Sequence, residues 1–253
     1  MAKFGEVLQL KTKKMLATIL SRKKVLITAG PTREAIDPVR YISNYSSGKM
    51  GYAIAEVCLK HGAEVFLVSG PVCMELKHPR LKTIKVNSAT EMFMTCCRFF
   101  EEVDVCVFAA AVADYRPGKV AKQKIKKEES SFIIQLVKNV DIACEFGKVK
   151  RNDQLSIGFA LETNNELPHA IGKLKKKNFD MVILNSMNDA LATFGYDTNK
   201  ITIIKRDLSR TDYPLKNKTE VAEDIVYEIE NSLFLQELVR NERGLEEYEM
   251  MFR

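Results

Sequence analysis

The residues best suited to chemistry in this chain sit in one stretch, Lys24 to Gly51, KVLITAGPTREAIDPVRYISNYSSGKMG. Gly30 closes an apolar run. Asn44, Ser46, Ser47 and Gly48 stand directly before the apolar-periodic segment MGYAIAEVCLKHGA, which includes Gly51. A helix start leaves backbone N–H groups unpaired and carries partial positive charge. Glycine lets an anion approach that backbone closely. The segment is therefore suited to holding phosphate. Asn44 has two readings, a turn residue that tolerates the local backbone or a side-chain amide directed into a pocket between two loops.

Three further groups carry functional side chains. FAAAVADYRP (108–117) follows a buried apolar run, and its alanines at a strand end would let a ligand lie against the backbone. Asp114 is the acid there, either capping a turn, accepting hydrogen bonds from a ligand hydroxyl or amine, or helping to hold a metal. Phe159 lies in GFALETNN, as core or as a platform for a ring. The polar turn Glu162–Asn165 leads to Lys173 and Lys177, which at i and i+4 share one helical face and could clamp a triphosphate. The lysine runs KIKK (124–127) and KLKKK (173–177) hold much of the formal charge of +6. Such a run is either a solvated face or a seat for an anion.

Other classes are excluded by what is missing. There is no G-x-G-x-x-G fingerprint after the first strand, only TAGPTRE, which argues against a standard NAD site. Gly48-Lys49 is followed by Met50, so the P-loop pattern fails. The Tyr45/Lys49 pair spans a Ser-Ser-Gly loop rather than a mid-chain helix, so a dehydrogenase role is set aside. The six cysteines include no C-x-x-C pair, and with three scattered histidines no zinc spacing exists. Cys58 and Cys106 fall in apolar periodic segments and read as small buried hydrophobes. The basic residues do not interleave with aromatics, so no nucleic acid is expected. No run of about 18 apolar residues occurs, so no membrane span is expected. A secretory signal is also lacking, and the cysteine usage fits a reducing cytoplasm.

The elements that must position these residues are legible as alternation. VLIT (25–28), 64–69, 81–86, 103–111, 155–161, 180–185 and 200–206 read as strands, with helices over about 49–61, 89–101, 139–150, 165–178 and 217–240. Continuous apolar strands alternating with helices imply a parallel-rich sheet built from right-handed crossovers, hence a three-layer Rossmann-like α/β fold. Residues 116–138 break the rhythm and read as an arm with a β-hairpin turning at Glu128–Ser131, its second strand SFIIQLVK, serving as a flap or dimerisation arm. Residues 1–23 read as an added helix, 24–231 as the main domain and 232–253 as a charged helical tail.

Taken together, ITAGPTRE-x-IDPVRYISN-x-SSGKMG, AAAVADYRP, KIKK, VKN-x-DI, GFA-x-ETNN and FG-x-D-x-N-K-I, in that order over roughly residues 24–210, resemble phosphopantothenoylcysteine synthetase of coenzyme A biosynthesis, in its bacterial monofunctional form. The resemblance implies a ligase that activates the carboxylate of 4′-phosphopantothenate with CTP to an acyl-cytidylate, then couples it to L-cysteine. Pyrophosphate and CMP leave, and Mg2+ accompanies the nucleotide. It implies that Gly30, Ser46, Gly48 and Gly51 line the phosphate and ribose region and that Phe159 packs on the base. Asp114, Lys124, Val140, Asp141, Ile142, Ala143, Lys173 and Lys177 would also bind nucleotide. Asn44 would contact the acyl group, and Ala110 and Ala111 would lie against the pantothenate. Lys124 would close over the intermediate from the flap. A homodimer is implied. Only a short helix precedes the synthetase motifs, so no flavin is expected and a separate decarboxylase is implied. Val140 stands where bacterial relatives commonly carry proline, which leaves the base-recognition turn less rigid. Leu161 replaces a commonly small residue. Two rival readings are a Rossmann-class oxidoreductase, opposed by the absent glycine fingerprint, and a non-catalytic binder of acidic partners.

Overall fold

The computed structural model describes residues 19–126, 131–186 and 196–240. Its centre is an eight-stranded sheet in the order β12-β11-β10-β9-β6-β1-β4-β5. The strands are β1 (Lys24–Ala29), β4 (Glu64–Ser69), β5 (Leu81–Lys85), β6 (Val105–Phe108), β9 (Leu155–Glu162), β10 (Met181–Ser186), β11 (Thr198–Lys205) and β12 (Arg210–Asn217). The run from β5 to β10 is parallel, while β11 and β12 join antiparallel. Helices α1 (Lys49–Lys60), α2 (Ala89–Cys97), α3 (Ile142–Val149), α4 (Glu166–Lys176) and α5 (Lys218–Arg240) complete the fold.

Side chains on successive strand residues face opposite ways, and β1 shows the consequence. Val25, Ile27 and Ala29 pack with Ile54, Cys58, Ile225 and Ile229 of α1 and α5, whereas Leu26 packs with Met92, Cys96, Ile142 and Phe146 of α2 and α3. A third apolar cluster holds Ala170 and Leu174 of α4 against Val182 and Leu184 of β10. Helices thus cover both faces, and the Rossmann-like α/β architecture read from the sequence is present. Cys58 and Cys106 are buried thiols, as expected.

The elements differ from the sequence reading at the sheet's margins. β6 stops at Phe108, and 109–114 form a loop. The apolar character there comes from alanines, which pack under a cavity rather than in a ladder. β12 has no apolar run, since it is an exposed edge carrying Pro214, a position where a missing N–H costs no ladder bond. Two short strands, β2 (Arg33–Ala35) and β3 (Tyr41–Ser43), pair around the Asp37–Arg40 turn. In the arm, β7 (Tyr115–Pro117) pairs antiparallel with β8 (Leu136–Lys138). Residues 131–135, read as part of a longer strand, pair with no strand among the described residues, and Phe132 and Ile133 are exposed. The turn expected at Glu128–Ser131 lies outside the described residues apart from Ser131, as do residues 1–18 of the N-terminal extension and 241–253 of the tail. α5 runs unbroken through Ser232, so the boundary read at 231/232 falls inside a helix.

Candidate active site

Strand order reverses at β1: the chain moves from β1 to β4 and β5 on one side, and through β6, β9 and β10 on the other. Ligands of doubly wound sheets bind in the crevice beyond the strand ends at such a point. The two loops leaving β1 and β6 are stitched together there. Ala111 N–H donates to Gly30 O at 2.9 Å, Ala110 N–H to Thr28 Oγ1 at 3.3 Å and Ala113 N–H to Thr32 Oγ1 at 3.0 Å. Asn44 Nδ2 donates to Ala111 O at 3.0 Å and Val112 O at 3.2 Å, which locks its amide across the crevice.

A cavity of about 440 Å³ opens over this junction. Of the sequence-predicted residues, Asn44, Ser46, Gly48, Gly51, Ala110, Ala111, Asp114, Val140, Asp141, Ile142, Ala143, Phe159, Lys173 and Lys177 line it. Two do not. Gly30 lies behind the wall, at a φ of 77° that favours glycine, and a Cβ added at Gly48 would come within 3.3 Å of its Cα. Lys124 lies outside the lining, and its segment is pinned to the Ile36–Arg40 turn. Ala121 N–H donates to Ile36 O at 3.0 Å, and Ile125 N–H to Asp37 Oδ2 at 3.1 Å. Arg40 donates to Ile125 O at 2.9 Å while pairing with Asp37. The Arg40 guanidinium, with backbone donors from Val39, Ile125 and Arg40, holds the Asp37 carboxyl far below the usual carboxylate range.

The phosphate-suited loop is built as its residues demand. Gly48 is the N-cap of α1 at φ 79°, and no side chain caps the helix. The uncapped first turn, Gly48 to Gly51, lines the cavity. Gly51 lets the helix sit on the end of β1: a Cβ there would stand 2.6 Å from Ala29 Cβ.

The opposite wall is α3 and α4. Asp141 caps α3, its side chain accepting from Cys144 N–H at 3.2 Å. Lys173 and Lys177 share one face of α4's end, as their spacing requires, and each meets a carboxylate. Lys173 Nζ lies 2.7 Å from Glu162 Oε1 and Lys177 Nζ 2.9 Å from Asp141 Oδ1. His169 Nδ1 also stands 3.3 Å from Glu162 Oε2.

Several lining residues were assigned no role from sequence. Asn139 N–H donates to Asp114 O and its Nδ2 to Ala113 O, each at 2.8 Å, tying the β6 loop to the start of α3. Among the described residues its buried Oδ1 has no hydrogen-bond partner, and neither has the buried Asn185 Oδ1. Asn199, Lys49 and Lys218 complete the far end. The VKN-x-DI and FG-x-D-x-N-K-I patterns contain Asn139 and Asn199, so the signal was present in the motifs. Asn185 and Lys218 carried none, since only the folded sheet brings β10 and the start of α5 to the cavity. Among the described residues, no group of three His, Cys, Asp or Glu could hold a metal ion, and no helix is long and apolar enough to cross a membrane.

Comparison with known proteins places this geometry in a family. Residues 20–233 match the family described as the DNA/pantothenate metabolism flavoprotein C-terminal domain. The coenzyme A biosynthesis bifunctional protein CoaBC of Bacillus subtilis is 41% identical over 210 residues, covering 83% of this chain and 52% of that protein. A protein named cysteine/cysteine sulfinic acid decarboxylase, from an unknown prokaryotic organism, is 47% identical over 217 residues, covering 86% of this chain and 60% of that protein. The chain thus spans about half to three-fifths of these relatives. The crystal structure of the C-terminal domain of CoaBC superposes with a TM-score of 0.72 at 42% identity, covering 85% of this chain and 98% of that domain. The structure of the Cab2 mutant H337A with phosphopantothenate-cysteine shares the fold, with a TM-score of 0.69 at 15% identity over 94% of this chain and 96% of that one. With the family match running from the strand before the Ser-Ser-Gly loop to the last helix, this chain belongs to the DNA/pantothenate metabolism flavoprotein C-terminal domain family.

Proposed function

We propose that the chain is a phosphopantothenate–cysteine ligase of coenzyme A biosynthesis that uses CTP. The observation that carries this reading is the single cavity in which Asn44, the Ser46–Gly48 loop, Asp114, the Val140–Ala143 turn, Phe159, Lys173 and Lys177 converge.

A carboxylate is a poor electrophile, so one of its oxygens must first become part of a leaving group. In the first step a carboxylate oxygen of 4′-phosphopantothenate bonds to the α-phosphorus of CTP. The bond from that phosphorus to the bridging oxygen breaks, and pyrophosphate departs with the electron pair. In the second step the amine of L-cysteine attacks the acyl carbon, the C–O bond to CMP breaks, and the nitrogen loses a proton. Charge gathers on phosphate oxygens in the first step, where fixed cations and backbone N–H groups are most effective.

In this reading Phe159 and the Val140–Ala143 turn hold the base, with Asp114, Lys173 and Lys177 on the nucleotide. The buried Asn139 Oδ1 is an acceptor suited to an amine hydrogen. Ser46, Gly48 and Gly51 receive phosphate, and Gly30 supports them from behind. Ala110 and Ala111 present flat backbone to the pantothenate, and Asn44 fixes the acyl group. Lys124 acts from its pinned segment. Because the described residues offer no cluster of metal donors, we infer that Mg2+ travels with the phosphates, and none of these steps is derived through it. A cytoplasmic homodimer joined through the β7–β8 arm accords with the exposed Phe132, Ile133 and Leu136. No flavin is assigned to these residues.

Pyrophosphate release by purified protein with 4′-phosphopantothenate and Mg2+ tests the reading. CTP-selective release, with CMP and the cysteine amide appearing only once cysteine is added, is the expected result. Equal use of ATP would remove the CTP assignment, and absence of amide with either nucleotide would remove the ligase.

A further inference from the structure

The cavity's charge is distributed unevenly. On the α3–α4 wall each lysine has its own carboxylate, Glu162 for Lys173 and Asp141 for Lys177, so that wall carries little net charge. On the far wall Lys49, from the first turn of α1, and Lys218, the first residue of α5, both line the cavity. Among the described residues, Asp197 is the carboxylate that faces both of them. Lys49 pairs with Asp197 directly, whereas Lys218 donates to the Tyr196 carbonyl at 2.5 Å. The acid's side chain is 80% exposed, so its compensation is diluted by water. Burial, and then the facing Lys49 ammonium, hold the Lys218 amine below the usual lysine range. The starts of two helices, α1 and α5, also meet here, each adding partial positive charge. Asn199 lines the same end beside Met50.

We propose that Lys49 and Lys218 form the seat for the terminal phosphates of the nucleotide, and thus for the pyrophosphate that leaves. Two cations sharing one exposed acid repel each other until an anion lies between them. A diphosphate group spans both with charge-assisted hydrogen bonds and reaches the first turn of α1, which no side chain caps. Lys173 and Lys177 are correspondingly anchors of the nucleoside side, their charges already matched. The Tyr45/Lys49 spacing that resembles a dehydrogenase pair reflects this seat: Lys49 turns inward to the cavity, while Tyr45 is 94% exposed.

This inference rests on the nucleotide reading above but is tested apart from it, with inorganic pyrophosphate as the probe. Calorimetric titrations of the full chain with Mg2+–pyrophosphate, CTP and CMP are compared for wild type, Lys49→Met, Lys218→Met and Lys218→Arg. Lys60→Met, at the other end of α1, is the control for net charge. Each methionine variant at 49 or 218 is expected to weaken pyrophosphate and CTP by about tenfold or more. CMP binding should stay within about twofold, and Lys218→Arg and Lys60→Met should keep near wild-type affinity. Retained CMP binding also reports an intact fold. Unchanged pyrophosphate affinity in both methionine variants, equal loss of CMP and CTP, or a wild type that does not bind pyrophosphate would each overturn the seat. A chain that binds pyrophosphate through these lysines yet forms no cysteine amide would keep the seat and remove the ligase.

Discussion

Asp141 Oδ1 receives two cationic or polar hydrogens at once: the Lys177 ammonium at 2.9 Å and the Cys144 amide at 3.2 Å. One carboxylate therefore both starts α3 and fixes the end of α4 across the cavity. Asp141→Ala should lose the cap and the pair, lowering stability by about 1 kcal/mol in urea unfolding. Asp141→Ser should restore most of that stability without the pair. Nucleotide affinity should fall in both variants, which separates the capping role from the binding one.

Asn44 offers a second test. Its Nδ2 is spent on the Ala111 and Val112 carbonyls. A carboxylate in its place cannot donate to those oxygens and would set a negative charge beside the acyl-phosphate. Asn44→Asp is expected to lower turnover by about 100-fold or more, seen as lost amide formation in a cysteine-dependent assay. Thermal unfolding should change little, since Asn44 is an exposed residue of the crevice.

Gly51 links packing to binding. An added methyl would meet Ala29 Cβ at 2.6 Å and the Thr28 carbonyl oxygen at 3.3 Å. Gly51→Ala should cost about 1–3 kcal/mol in denaturant titration as the helix is pushed off the strand. It should also weaken nucleotide binding, because the same shift moves the Ser46–Gly48 loop.

On the back of the domain, His61 Nδ1 stands 2.8 Å from Glu230 Oε1, and Glu230 is 2% exposed. The Glu230 hydrogen bond, opposed by burial and aided by the charges of Glu230 and Glu223, raises the His61 pKa above its ordinary 6.5. A raised histidine contributes stability that is fully present below the unfolded-state value and is lost as pH rises through the folded-state value. Urea midpoints should therefore fall as pH rises above the ordinary histidine value of 6.5 and through the raised folded-state value. His61→Gln should flatten that slope.

The interior of this fold was legible because its strands are continuous apolar runs, as in VLIT and EVFLVS, and its helices carry regular apolar faces. The margins were not. β12 presents exposed, mostly polar residues to solvent, and its strand identity comes from pairing with β11, which no local pattern encodes. The alanines after Phe108 imitate a strand because smallness and apolarity serve a cavity wall as well as a ladder. Residues gathered within one motif, such as Asn44 with Ser46 and Gly48, line one cavity. Asn185 and Lys218 belong to no such motif: the parallel pairing of β10 with β9 brings Asn185 to the cavity, and Lys218 arrives at the start of α5 after the antiparallel β11 and β12. Lys173 and Lys177 were recognised by spacing, but their carboxylate partners lie 11 and 36 residues away in sequence and only the fold reveals them.

The segment pinned to the Ile36–Arg40 turn has a consequence for solvent exchange. Ala121 and Ile125 belong to no helix or strand, and loop amides of that kind ordinarily trade their hydrogens with water quickly. Here both amides are donors to the Ile36–Asp37 turn, whose carboxylate is held by Arg40. Deuterium uptake at Ile125 should be slow for a loop, and Arg40→Met should release it while leaving the amides of β1 protected. The irregular stretch around Lys124 would then register as part of the rigid body of the domain, a scaffold whose stiffness is set by one aspartate and one arginine rather than by a ladder.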